Sequence, residues 1–170
     1  MTSYVALLRA VNVGGTGKMP MQDLVAMCEK LGFTKVKTYI ASGNVMFQSR
    51  KTEKAVHAAL AAAMEAYAGK PVGVMVRTPE ELRQAIADNP FPKAAPNRTV
   101  VIFLDGAPPS DALRAVTGQV DEEIALGKRE IYVSYGTNMA HSKLKIPAAK
   151  TGTARNMNTV AKLAELAAAL

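Results

Sequence analysis

YVALLRAVNVGGTGKMPMQDL, residues 4–24, decides how the chain is read: a near-continuous apolar run, a glycine-rich loop, and then the start of a helix. Residues 4–11 predict a central strand buried on both faces, because a strand with one wet face would alternate apolar and polar residues. Gly14, Gly15 and Gly17 end the run and leave backbone N–H groups that can meet an anion, while Lys18 adds a mobile positive charge to the same loop. Pro20 stands where a helix begins without losing a hydrogen bond. Leu24, Cys28 and Leu31 then recur at helical spacing, with Gly32 as the stop. Cys28 faces the core on this reading, and no neighbour in sequence would lower its pKa, so a reactive thiol is not expected.

Downstream, residues 35–41 and 45–48 predict two strands joined by a tight turn at Ser42-Gly43-Asn44. Ser42 has no histidine and carboxylate arrangement to activate it, so the turn explains the triplet better than a nucleophile does. Thr52 is an N-cap for a helix whose apolar stripe is Val56, Leu60, Ala63, Met64 and Tyr67, ending at Gly69. His57 lies beside that stripe and reads as a surface histidine. Residues 72–77 predict a fourth strand. Thr78-Pro79-Glu80-Glu81 then combines an N-cap, a proline at the first helical position and a capping-box glutamate, which start a helix carrying Leu82 and Ile86.

Residues 89–97, with Pro90, Pro92 and Pro96, read as a boundary between halves. Beyond it come a strand at 100–104, a helix near 110–116, strands at 122–126 and 131–135, and a terminal helix. That helix carries Val160, Leu163, Ala164 and Ala167 on one face, and Asn156 or Asn158 caps it. Arg155 beside the cap makes its free N–H groups a second place to hold an anion. Up to residue 77 the order is strand, helix, strand, strand, helix, strand, the βαββαβ plan of ferredoxin-like folds. The expected fold class is therefore α+β: a ferredoxin-like half over 1–78, then a related, incomplete βαββα half over 79–170, packed as one compact two-layer unit.

The chain has 170 residues, a mean hydropathy of +0.04 and a net charge of +7. No apolar run approaches the roughly 18 residues that a membrane span requires. Arg9 interrupts the N-terminal apolar run, so no signal peptide is expected. A single cysteine forms no internal disulfide, and His57 and His141 are too few and too scattered for a zinc site, so a reducing, cytoplasmic setting is expected. Charge is unevenly placed. Residues 1–78 hold ten Lys or Arg against four acids (+6), 79–123 four against eight (−4), and 124–170 seven against two (+5). Basic ends around an acidic middle raise the odds of a phosphate-bearing partner, although a solvated surface rich in lysine is the simpler reading, and charge alone does not choose between a nucleotide and a nucleic acid.

Two nucleotide-binding motifs are excluded. A P-loop needs a glycine where Asn12 stands and a hydroxyl where Met19 stands. A dinucleotide fingerprint needs its third glycine where Pro20 stands. An RNA-recognition module shares the βαββαβ plan, but it would have to read bases with Tyr4 and Phe47, and no basic-aromatic string accompanies them.

Three strings resemble the family called domain of unknown function 1697: LLRAVNVGG (7–15) with KMPM (18–21), TYIASGNVMF (38–47), and TGTARNMNTV (151–160). The resemblance spans nearly the whole chain and implies a soluble, bacterial-type α+β protein without an assigned activity. The recurring family positions are Arg9, Asn12, Gly14, Gly15, Lys18, Ser42, Gly43, Asn44, Arg155, Asn156, Asn158 and Thr159. Met157 departs from the aromatic residue the family often has there. These residues form the expected ligand-binding set, centred on the glycine-rich loop and taking a phosphate-bearing small ligand or nucleotide. The alternatives are an RNA-binding module, an enzyme with Lys18 and Arg155 stabilising transition-state charge, and an interaction protein whose strings are architectural. The three strings are expected to converge on one end of the first sheet.

Overall fold

The apolar run that opens the chain becomes β1, Thr2–Leu8, and residues 5–8 are at most 1% exposed, so both faces of the strand are covered. The computed structural model describes residues 1–9, 12–13, 17–40, 43–137 and 139–170, with Asn12, Val13, Gly17 and Lys18 described by their backbone alone. After β1 come a short hairpin of β2 (Asn12–Val13) and β3 (Gly17–Lys18), then α1 (Met21–Lys30), β4 (Thr34–Thr38), β5 (Asn44–Ser49), α2 (Glu53–Ala68), β6 (Val74–Arg77) and α3 (Pro79–Ala87). β7 (Thr99–Phe103), β8 (Glu123–Leu126), β9 (Glu130–Ser134), β10 (Thr153–Asn156) and α4 (Met157–Ala168) follow. Among the described residues the fold is α+β, with four α-helices and two four-stranded antiparallel sheets. The chain divides into two compact units, Met1–Leu82 with Lys162–Leu170, and Arg83–Ala161.

In the first unit the sheet order is β4-β5-β1-β6, which makes β1 and β5 the adjacent central strands. Alternate residues of β1, β5 and β6, namely Tyr4, Ala6, Leu8, Val45, Phe47, Val74 and Val76, pack with Leu24, Cys28, Val56, Leu60 and Met64 of α1 and α2. This is the period-2 face of a sheet meeting the period-3.6 face of two helices. Phe33 and Phe47 stack with ring centroids 4.3 Å apart at its centre. Local chemistry fixes the helix ends. The Thr52 hydroxyl accepts the Ala55 N–H at 3.2 Å, and Gly69 closes α2 at φ +75°. Thr78 and Glu81 form a reciprocal capping box, with Thr78 N–H to Glu81 Oε1 at 2.9 Å and Glu81 N–H to Thr78 Oγ1 at 3.2 Å. His57, expected at the surface, is half-buried and donates from Nε2 to the Val74 carbonyl at 2.8 Å, joining α2 to β6.

The second unit departs from the expected βαββα half at two places. Residues 110–116 do not form an α-helix but a single 3-10 turn, Ala112–Ala115. The N–H groups of Ala112, Arg114 and Val116 each donate three residues back, to the carbonyls of Pro109, Asp111 and Leu113, which is the 3-10 pattern, and Thr117 is already paired with Lys145. The other departure is β10, which pairs antiparallel with β7 and gives the order β10-β7-β9-β8. Its sequence TARN carries no strand alternation. The strand exists because Val100 and Ile102 of β7 would otherwise leave backbone groups unpaired in an apolar cluster.

Candidate functional site

At the C-terminal end of β1 the chain is fastened twice. Leu8 N–H donates to the Gly43 carbonyl and Arg9 N–H to the Gly73 carbonyl, each at 2.8 Å. Gly43 takes φ +84°, the left-handed conformation that a turn into β5 requires there and that glycine adopts without cost. A Cβ at Gly73 would stand 3.1 Å from Cβ of Arg9, a tight contact. Arg9 itself is exposed. The chain then enters the β2–β3 hairpin, where Asn12 lies opposite Lys18 and Val13 opposite Gly17, before Pro20 caps α1. Asn44 is fully buried and serves its own turn: its Nδ2 donates to the Tyr39 carbonyl at 3.1 Å, and Tyr39 N–H donates to the Asn44 carbonyl at 3.2 Å. Arg9, Gly43 and Asn44 thus belong to one end of the first sheet, the end from which the chain leaves β1 toward the hairpin. Gly14, Gly15 and Ser42 lie outside the described residues.

Arg155, Asn156, Asn158 and Thr159 come together in the second unit. Of the two asparagines expected to cap the terminal helix, Asn156 does so, its Oδ1 accepting Thr159 N–H at 2.9 Å, while Asn158 is exposed. Arg155 lies opposite Val101 on β10, is half-buried, and donates from Nη1 to the Ala154 carbonyl at 2.8 Å. Burial pushes its guanidinium down to about 10, so it remains cationic at neutral pH.

One polar cluster was not found by reading the sequence. Glu122 is only 5% exposed, and its carboxylate accepts the Ser142 hydroxyl and, at 2.7 Å, the Val120 N–H. The Ser142 hydroxyl also accepts Leu144 N–H at 3.3 Å, and Gln119 Nε2 donates to the Glu122 carbonyl at 2.6 Å. A cavity of ≈ 320 Å³ beside it is lined by Gly118, Asp121, Glu122, His141, Ser142 and Lys143. The two loops are about twenty residues apart in sequence, and no local pattern announces their meeting. The hydrogen bond from Ser142, then that from Val120, hold the Glu122 carboxyl below the ordinary carboxylate range. The folded protein therefore binds this proton less readily than the unfolded chain does. The cluster's contribution to stability is present above the ordinary carboxylate value and is lost as pH falls through the lowered one. Glu122→Gln should flatten the acid limb of stability against pH below roughly pH 4.3, as read by urea midpoints. An unchanged acid limb would show that Glu122 does not govern it.

Other chemistry is limited by burial. Burial, then the nearby Glu29 charge, pushes the Cys28 thiol up to about 12, so it is not a nucleophile near neutral pH. Tyr4 and Phe47, the aromatics on which base stacking would depend, are both core residues 6.0 Å apart between centroids, and neither offers a free ring face to a base. No group of three or more His, Cys, Asp or Glu that could hold a metal ion occurs among the described residues. Among them, no helix is long and apolar enough to cross a membrane.

Two four-stranded antiparallel sheets, each with its own core and with a glycine-rich hairpin leaving the first, define an α+β protein of two units. The chain belongs to the DUF1697 family, described as a protein of unknown function, whose model matches residues 1–132. The fold is similar to that of the conserved bacterial protein SP0830 from Streptococcus pneumoniae, with a TM-score of 0.80 at 23% sequence identity, covering 98% of each chain. No match was found among curated proteins.

Proposed function

We propose that this protein binds a small phosphate-bearing ligand at segment 12–18, with Arg9 and Lys18 as its cations. One observation carries the reading: the 2.8 Å hydrogen bond from Leu8 N–H to the Gly43 carbonyl joins two of the three family strings at one end of one sheet. A glycine-rich turn with side-chain cations beside it suits an anion, since its N–H groups and the cations all donate. The +6 balance over residues 1–78 favours the same sign of ligand. The order β4-β5-β1-β6 supports treating the first unit as a ferredoxin-like sandwich, where the loops at one sheet end share a site. Arg155 and the capped start of α4 make a second anion-holding element of the proposal.

Thermal unfolding tests it. A phosphate-bearing compound at about 100 times its Kd should stabilise the protein by roughly 2.7 kcal/mol. Arg9→Ala and Lys18→Ala should each leave unliganded stability within about 0.5 kcal/mol of wild type and remove most of the ligand's shift. A shift that survives both substitutions would place binding elsewhere. No shift with inorganic phosphate, sugar phosphates or nucleotides would end the proposal.

A further inference from the structure

We infer that two copies of this chain pair edge to edge through β8, antiparallel and centred on Ala125, so that their second sheets continue into one. This surface is separate from the ligand site proposed above and does not depend on it. β8 ends the order β10-β7-β9-β8. The ladder decides which of its backbone groups are used. Gly127 N–H donates to the Glu130 carbonyl at 2.7 Å, and Tyr135 N–H donates to the Arg98 carbonyl of the neighbouring ladder at 2.8 Å, so Glu123, Ala125 and Gly127 turn their N–H and C=O groups toward β9. Ile124 and Leu126 turn theirs off the sheet edge. The outward carbonyl before them, that of Glu122, accepts Gln119 Nε2 at 2.6 Å, whereas among the described residues no hydrogen bond reaches the outward groups of Ile124 and Leu126. The edge strand β4 of the first sheet is guarded instead: Lys35 and Lys37 are exposed along it, and its register shifts between Thr34 and Lys37. β8 keeps an unbroken register with β9, and its one charge, Glu123, stands at its start.

What fits this edge is its own sequence. Residues 121–129 read DEEIALGKR, acidic at the start and basic at the end. An antiparallel second copy sets residues 121–123 of one chain beside 127–129 of the other, acids against Lys128 and Arg129, whereas a parallel one would set like charges together. A two-fold axis through Ala125 places Ile124 opposite Leu126 of the second copy and the reverse, the register in which the outward N–H and C=O groups of both residues are all matched. Shifting the axis by one residue either way brings in residue 122, whose carbonyl Gln119 already holds, or residue 128. Ile124 and Leu126 also pack on the apolar cluster of Ile131 and Val133, so the pairing continues that face across the junction. Ala125 meets its own copy on the axis, where a small side chain leaves room.

Sedimentation equilibrium of the full chain tests the inference, and wild type should reach twice the 18.0 kDa chain mass. Ala125→Lys and Ala125→Glu each set like charges on the axis and should each raise the dimer dissociation constant about tenfold. A one-to-one mixture of the two should recover the wild-type value, which misfolded variants would not give. Ala125→Cys should form a disulfide-linked dimer with oxidised glutathione, because a non-hydrogen-bonded antiparallel pair brings its Cα atoms to about 4.5 Å. Glu123→Cys, opposite Gly127, should not link, and the native Cys28 is buried. A wild-type monomer at every concentration, a dimer indifferent to both charges, a mixture no tighter than either variant, or no link at position 125 would overturn the inference.

Discussion

Phe47→Ala is expected to lower stability by about 3–5 kcal/mol, the usual cost of removing a buried ring from a core that relaxes only in part. Phe47 is fully buried in β5, stacked on Phe33 with ring planes 6° apart and tilted 38° against Tyr4. The lost ring therefore removes transfer energy and aromatic pairing together, the latter contributing roughly 0.5–1.5 kcal/mol beyond area. Phe47→Leu keeps most of the volume and should cost distinctly less. Urea unfolding followed by circular dichroism reads both variants. A loss under about 1 kcal/mol for Phe47→Ala would mean that the site collapses freely or is not closed.

Gly118→Ala should be nearly as damaging, for a backbone reason. Gly118 takes φ +72°, and a Cβ there would collide with the carbonyl of Lys143. That carbonyl has little room to retreat, because Thr117 N–H donates to the Lys145 carbonyl at 3.0 Å and Lys145 N–H returns to the Thr117 carbonyl at 2.8 Å. Left-handed strain of about 1 kcal/mol or more adds to overpacking of about 1–3 kcal/mol. We expect a total near 3 kcal/mol, with the Glu122–Ser142 cluster loosened at the same time. Near-wild-type denaturation of Gly118→Ala would show that the two loops are not clamped together.

What was legible in the sequence was the part written in short-range chemistry. Thr78 with Glu81, Thr52 with Gly69, and Pro20 before Met21 mark helix ends because caps act within three or four residues, and the structure carries those ends at the same places. The unbroken apolar run of β1 marked a strand with two covered faces, although the strand ends at Leu8, where Leu8 and Arg9 N–H make its last bonds to the Gly43 and Gly73 carbonyls. What escaped was imposed from a distance. β10 pairs because β7 presents an open edge, and residues 112–115 form a 3-10 turn followed at Thr117 by a bridge to Lys145. Within the candidate site, the mutual approach of residues 8 and 43 followed from the strand order. The inward role of Asn44 did not, because burial is not written in a residue's type.

The first unit is discontinuous in the chain: its early part ends at Leu82, and Lys162–Leu170 returns to it only after the whole of the second unit, with Gln48 Nε2 donating to the Leu170 carbonyl at 3.5 Å. On a ribosome, the sheet of β1, β4, β5 and β6 is therefore complete in sequence some eighty residues before the helix end that belongs with it is made. At synthesis rates of about 5–20 residues per second, the nascent unit therefore stands for seconds without the segment that completes it.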